Sequence, residues 1–304
     1  MLKIGCHVSI ADGVENAPKN AADLGCEIFQ IFTRSPQGGG MQELTPEVIE
    51  EFKTNLKKYH FDEFVVHAPY YVNFGSSDNR IYHSSISVIK QELARASLLG
   101  AKYAMVHLGS FKIANRKDVL EYAAAGLSKV LEDYKGETQF LMEISAGGGN
   151  VLGGTFEELA VVMEPLKKFK TYGGICFDTQ HAFAGGYDLR SGSTVASTFE
   201  KFDKAIGLKW LKMSHVNDSK PEFESHRDRH EHIGEGKIGI EGFKAILGYL
   251  NTFSSGQTGI LPKKGGKNKV AFGAMPLILE TEHDKVETDI KLLKALRDGL
   301  YSVK

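Results

Sequence analysis

Cysteine is scarce in this chain: Cys6, Cys26 and Cys176 are the three present in 304 residues. A small, odd number at wide spacing excludes a disulfide framework, and each lies in or beside an apolar run, so all three read as reduced core residues. An excess of either charge is also missing. With 37 basic against 38 acidic side chains and a net charge of -1, the composition carries no global signature of a polyanion binder. No run approaches the roughly 18 apolar residues of a membrane span, and the apolar stretch in the first eight residues is far shorter than that of a signal peptide. A soluble, cytoplasmic protein is the expectation. A glycine-rich phosphate turn is lacking too: the first apolar run is followed by His7-Val8-Ser9-Ile10-Ala11-Asp12-Gly13, which is no dinucleotide fingerprint.

What is abundant is glycine, 33 residues, beside 42% hydrophobic side chains, enough for one large core with many short turns. Short apolar runs at 3–8, 27–32, 63–67, 103–107, 138–143, 173–178, 208–215 and 277–280 alternate with amphipathic stretches such as 46–59, 85–99, 117–134, 156–169 and 193–206. Eight strands alternating with helices predict a single α/β domain over 1–304, a (β/α)8 TIM barrel. A doubly wound open sheet is the competing arrangement, and the missing phosphate turn weighs against it.

That fold gives meaning to a set of metal-ligating residue types. His67, His107, Glu143, Asp178, His215 and Glu280 fall at the C-terminal ends of strands three to eight, the barrel face on which active sites are built. His181, Asp228 and His230 follow on the loops after strands six and seven, and in Asp228-Arg229-His230 alternate residues of an extended segment point the same way. Five imidazoles and four carboxylates without a thiolate suit zinc or manganese, and nine ligands exceed the needs of one ion, so two or three ions are expected. Clustered divalent ions neutralise charge on the attacking and leaving oxygens of a phosphoryl displacement, which makes a phosphate ester the natural substrate.

The blocks Cys176-Phe177-Asp178-Thr179-Gln180-His181-Ala182-Phe183-Ala184-Gly185-Gly186-Tyr187-Asp188, His215-Val216-Asn217-Asp218-Ser219-Lys220 and 228–236 are similar to those of the endonuclease IV family of apurinic/apyrimidinic DNA-repair endonucleases, and the resemblance runs from Ile4 to Thr281. It implies that His67 and His107 bind a first zinc, that Asp178, His215 and Glu280 bind a second with Glu143 bridging the two, and that His181, Asp228 and His230 hold a third. It further implies about three zinc ions per monomeric chain, with manganese able to occupy a site. The implied activity is cleavage of the phosphodiester 5′ to an abasic site in duplex DNA by a metal-bridging hydroxide, with trimming of blocked 3′ termini. An abasic nucleotide has no base to unstack, which contributes to selectivity. His7 matches a pocket-lining position of the family and Tyr70 a tyrosine that helps distort the DNA, and Arg229, with Arg190, Lys220 and Arg227, lies on the loops after strands six and seven, where it could bind phosphates.

Three features depart from the family. The loop Arg34-Ser35-Pro36-Gln37-Gly38-Gly39-Gly40-Met41 lacks the arginine-aromatic wedge that many members insert into the base stack. Ile144 stands where asparagine is usual. Residues 251–276 form a longer connection, read as a loop insertion on the barrel face opposite the metals. The alternatives are a metal-dependent sugar isomerase or epimerase of related barrels, which leaves His181, Asp228 and His230 without a role, and a lesion-binding protein that has lost catalysis.

Overall fold

Each of the eight apolar runs becomes a strand in the computed structural model, which describes residues 2–112, 114–254 and 274–299. The strands are β1 (Leu2–His7), β2 (Ile28–Ile31), β3 (Val65–His67), β4 (Tyr103–Val106), β5 (Gln139–Glu143), β6 (Tyr172–Asp178), β7 (Leu211–His215) and β10 (Met275–Leu279). They pair in parallel and close in the order β1-β10-β7-β6-β5-β4-β3-β2. A two-stranded antiparallel ladder, β8 (Asp218–Ser219) with β9 (His230–Glu231), projects beyond β7.

Helices between the strands start where the sequence caps them. Thr45 accepts a hydrogen bond from Val48 N, with Pro46 in the first turn, to open α2 (Pro46–Lys58), after the short α1 (Ala17–Asp23). Asp78 opens α3 (Asn79–Leu99), Asn115 opens α4 (Arg116–Glu132), and Thr155 opens α5 (Phe156–Met163). The amphipathic reading starts α3 at residue 85; capped by Asp78, it starts six residues earlier at Asn79, and the polar residues 83–85 hide the buried Tyr82 from the pattern. The expected helix 156–169 ends at Met163, because Pro165 cannot continue the α-helical ladder and the chain tightens into a 3₁₀ turn, Glu164–Leu166. The 208–215 strand likewise begins only at Leu211, after a 3₁₀ turn. The six-residue α6 (Thr179–Ala184) is not legible as a helix in the sequence, and it carries His181, expected on a loop. Then follow α7 (Gly192–Ala205), α8 (Gly239–Ser254) and α9 (Val286–Arg297). Residues 255–273, most of the inserted connection, lie outside the described residues. No helix among the described residues is long and apolar enough to cross a membrane.

Two buried clusters hold the fold together. The larger lies between strands and helices and includes Phe29, Phe52, Phe64, Phe177, Phe199 and Phe243. The smaller fills the barrel interior with Ile28, Val65, Tyr103, Met105, Leu141, Cys176, Met213 and Ile278. Side chains alternate across a strand, so the residue two places beyond an interior one also points inward, one layer closer to the C-terminal mouth. That layer is polar. It consists of Gln30, His67, His107, Glu143, Asp178, His215 and Glu280, two after Ile28, Val65, Met105, Leu141, Cys176, Met213 and Ile278. On β1 the same alternation leads from Gly5 to His7, and Gly5 is required because a Cβ there would meet Ile28 O at 1.6 Å.

Candidate metal centre

Polar side chains crowd the upper barrel layer. Glu143 is at its centre, 1% exposed. One carboxylate oxygen lies 3.2 Å from His67 Nε2 and 3.5 Å from His107 Nε2; the other is 2.8 Å from His215 Nδ1 and 3.4 Å from His181 Nδ1. Three ligand groupings result, each with its donor atoms within 4.8 Å of one another: His67, His107 and Glu143; Glu143, Asp178, His215 and Glu280; and Asp178, His181 and His230. Glu143 belongs to the first two and Asp178 to the last two. Asp228, expected in the third set, sits at the rim with its side chain 61% exposed, its Oδ1 3.2 Å from His181 Nε2 and 3.5 Å from His230 Nε2. A further grouping places Cys176, read from sequence as plain core, with Glu143 and His215, because the last core layer lies directly beneath the ligands.

The backbone orients the imidazoles. Nδ1–H donates to a carbonyl in three of them: His67 to Ala68 O at 2.6 Å, His181 to Ile144 O at 3.0 Å, and His230 to Glu280 O at 3.3 Å. With that nitrogen protonated, Nε2 keeps its lone pair for the cluster. His215 is turned the other way, its Nε2–H donating to Gln30 Oε1 at 2.8 Å and its Nδ1 facing the carboxylates. The amide of Gln30 also donates to Glu280 Oε1 at 2.7 Å and to His7 Nδ1 at 3.1 Å. Asp178 accepts from His181 N at 2.7 Å as the cap of α6, and from Asn217 Nδ2 at 2.7 Å, while Asn217 Oδ1 accepts from Glu280 N. Gln30 and Asn217 are thus the positioning residues that the sequence reading missed. A wholly buried glutamine in the apolar run Ile28-Phe29-Gln30-Ile31 was the available signal. His181 has its carbonyl partner although Ile144 replaces the usual asparagine, because the contact uses the main chain.

The donor set fits divalent cations. His181 Nε2 and His230 Nε2 are buried without a hydrogen-bond partner, an arrangement that costs free energy unless a ligand takes the lone pair. The titration behaviour of the metal-free cluster agrees. Burial opposes charge on Glu143, but His107 and His215 opposite it and hydrogen bonds from His181 and His215 hold it well below the usual carboxylate range. Burial likewise opposes charge on His181, yet Asp178, Asp228 and Glu143 raise it well above an ordinary histidine; on His215, Cys176, Glu143 and Glu280 do the same. Against its burial, chiefly through His215, Glu280 is drawn down to about 2. A compact set of carboxylates that attracts protons to its imidazoles without metal will attract cations in their place.

Around the cluster opens a cleft of about 310 Å³, rimmed by Tyr70, Lys220, Arg229 and Glu282. Tyr70 is 64% exposed and packs on Phe32, ring centroids 5.3 Å apart. Arg229 donates to Asp228 O. Arg190 is engaged elsewhere, paired with Asp188 and stacked over Phe223. His7 lines a neighbouring cleft of about 480 Å³ with Phe32, Met41 and His283, and burial pushes it down to about 3, so it is neutral at any working pH. Arg34 lines the same neighbouring cleft with its guanidinium bonded to the buried Glu92 and to Gln91 of α3, and Tyr70 N donates to Pro36 O, so the two loops beside the cleft are tied together.

Closed parallel barrel and polar mouth are those of a xylose isomerase-like TIM barrel, and the model of that family matches residues 18–254. Within it the relatives are specific. A probable endonuclease 4 of Methanoculleus marisnigri is 36% identical over 299 residues, covering 98% of this chain and 99% of its own. The crystal structure of endonuclease IV from Thermus thermophilus superposes with a TM-score of 0.79 at 28% identity, covering 98% and 99% of the two chains. A D-tagatose 3-epimerase-like protein also superposes, with a TM-score of 0.73, but at 21% identity it shares the fold alone. The chain belongs to the endonuclease 4 family.

Proposed function

We propose that the protein is a metal-dependent DNA-repair endonuclease that hydrolyses the phosphodiester 5′ to abasic sites in duplex DNA and trims blocked 3′ termini. The observation that carries this reading is the overlap of the ligand groupings at Glu143 and Asp178: one cluster offers more donors than a single ion uses, next to an open, cation-rimmed cleft. His67, His107 and Glu143 would hold one ion; Glu143, Asp178, His215 and Glu280 a second; His181, His230 and Asp228 a third, with zinc the metal best matched to these nitrogen and oxygen donors and manganese the alternative. Ions held there would supply Lewis acidity, neutralising the scissile phosphate and lowering the pKa of a water.

The chain's own residues do the rest. Glu143 and Asp178 each serve two groupings, which fixes the groupings side by side. Gln30 and Asn217 hold His215, Glu280 and Asp178 in orientation. Neutral His7 offers a hydrogen-bonding edge at the cleft mouth without adding charge, Tyr70 presents an exposed aromatic face on which a base can stack, and Lys220 and Arg229 are positioned to contact phosphates. Among the described residues nothing places an arginine at the tip of the 34–41 loop, so distortion of the duplex rests on Tyr70 and its neighbours.

The test is an assay of the metal-loaded protein on a duplex carrying one abasic site, beside a panel of aldoses and ketoses. Incision giving a 3′-hydroxyl, with no sugar turnover, supports the proposal. Epimerisation or isomerisation without incision overturns it in favour of the sugar enzyme, and tight abasic-duplex binding without incision overturns it in favour of a lesion-binding protein.

A further inference from the structure

Asp289, in the first turn of α9, is 3% exposed and touches none of the ligand groupings, yet its carboxylate joins the two chain segments that bring His230 and Glu280 together. One oxygen accepts from His232 Nδ1 at 2.7 Å and from Thr281 Oγ1 at 2.9 Å; the other accepts from Ile233 N at 3.0 Å. His232 lies two residues after His230, and Thr281 directly follows Glu280. The far side of the His232 ring is held by Asp284, whose Oδ1 is 3.1 Å from Nε2.

Two sets of contacts hold the His230 segment within its own hairpin. The β8–β9 ladder pairs His230 with Ser219, and Asp218 accepts from the main-chain N–H groups of Gly234, Gly236 and Ile238. Neither reaches β10. Between the hairpin and the Glu280 segment run His230 Nδ1 to Glu280 O, long at 3.3 Å, Glu280 N to Asn217 Oδ1 at the hairpin base, His232 to Asp284 and the exposed pair Lys285–Glu235; the buried Asp289 carboxylate adds the one side chain that holds His232, Ile233 and Thr281 together. A short side chain with three donors on it in a buried site permits little movement.

We propose that Asp289, acting through His232 and Thr281, is the positioning clamp of the metal centre, setting the separation of His230 and Glu280 and thereby the retention of the ion that His230 holds. The clamp rests on the reading of the groupings as metal sites. Groups that orient metal ligands from behind typically control affinity by about 10- to 100-fold. Asp289→Asn removes the negative charge and replaces one acceptor oxygen with N–H groups, so the hydrogen bonds to His232, Thr281 and Ile233 cannot all be kept in their present form and the hold on the two segments is weakened.

The experiment uses zinc-loaded protein, dialysed against increasing concentrations of a chelator, with ions per chain counted by elemental analysis and kcat and KM measured on abasic duplex. Leu293→Ala, a buried residue of the same helix away from the clamp, is the control for loss of stability alone. Asp289→Asn is expected to release one ion about 10- to 100-fold more readily while the others stay, and to lower kcat with KM unchanged. His232→Gln, which removes a single arm, is expected to loosen the same ion less, and keeps the test available if Asp289→Asn fails to fold. Leu293→Ala is expected to melt earlier but keep its ions. Wild-type retention in Asp289→Asn, or in His232→Gln should the former not fold, overturns the clamp. Equal loss of the same ion in Leu293→Ala overturns it too. If the wild-type protein itself retains no ion, the metal centre falls, and the clamp with it.

Discussion

Replacing Glu143 with glutamine keeps the volume of a fully buried side chain and removes its charge, so the consequence is electrostatic. Four imidazole nitrogens lie between 2.8 and 3.5 Å from the carboxylate oxygens, and three of those imidazoles, His67, His107 and His215, define with Asp178 and Glu280 the two groupings that Glu143 joins. A unit charge acting over about 4 Å at an effective dielectric constant of about 20 is worth about 4 kcal/mol, and burial leaves no solvent to screen it. An amide oxygen recovers part of this through its dipole. The net loss is then about 3 to 4 kcal/mol, the scale on which removal of a key electrostatic group lowers kcat by about 10²- to 10³-fold. The expected outcome is a kcat reduced by at least about 10²-fold on a duplex with one abasic site, with fewer ions per chain in parallel elemental analysis. Folding is checked by the near-ultraviolet circular dichroism of the same preparation. A folded Glu143→Gln protein with wild-type ion content and a kcat within a few-fold of normal would refute the shared-carboxylate role.

Three further outcomes are expected. Metal-free His181 and His215 are held protonated above the ordinary histidine range, so that protonation stabilises the metal-free fold below the unfolded-state pKa and the benefit is lost as pH rises through the raised values. Zinc displaces those protons, so loading at neutral pH should release about two protons per chain into weakly buffered solution, and apparent affinity should rise with pH over the same window; pH-independent uptake with no proton release would contradict this. Tyr70→Ala removes the exposed ring at the cleft and should weaken abasic-duplex binding by about 1 to 3 kcal/mol, the usual worth of one stacked base, whereas an unchanged Kd and rate would show that Tyr70 does not contact the distorted strand. Replacing 255–272 with a short Gly/Ser linker should leave metal content, cleavage and the salt slope of DNA binding unchanged, because the flanking ends, α8 and the start of β10, lie at the opposite barrel face, about 16 Å from Glu280 for a strand of five residues at about 3.3 Å each and beyond a Debye length of about 8 Å; a slope smaller by two or more units would mean that Lys263, Lys264, Lys267 or Lys269 meets phosphate.

Which parts of this site a reader can extract from the sequence depends on the range over which each contact closes. Strand ends are local: an apolar run that stops at His67, His107, Glu143, Asp178, His215 or Glu280 carries its own inward direction, since side chains alternate and the last interior residue precedes the ligand by two. Gln30 obeys the same rule on β2 but is hidden within an apolar run, and applying the rule to every strand, rather than to metal-ligand types alone, would have found it. Helix α6 is too short for periodicity to register, and its start is set by Asp178, a residue the sequence offers as a metal ligand, so the capping role is masked by the candidate one. The tautomers of His67, His181 and His230 depend on which carbonyl a folded backbone presents, and for His230 that carbonyl, Glu280 O, is 50 residues away in sequence. Asp289 is farther still, 57 residues from His232, within a helix whose pattern predicts only an acidic first turn. The identity of the six strand-end candidates is therefore legible strand by strand, whereas their orientation is a property of the closed barrel. On the proposed reading, a sequence that keeps all nine candidate ligands but loses Gln30, Asn217 or Asp289 would look unchanged by motif and should hold divalent ions more weakly.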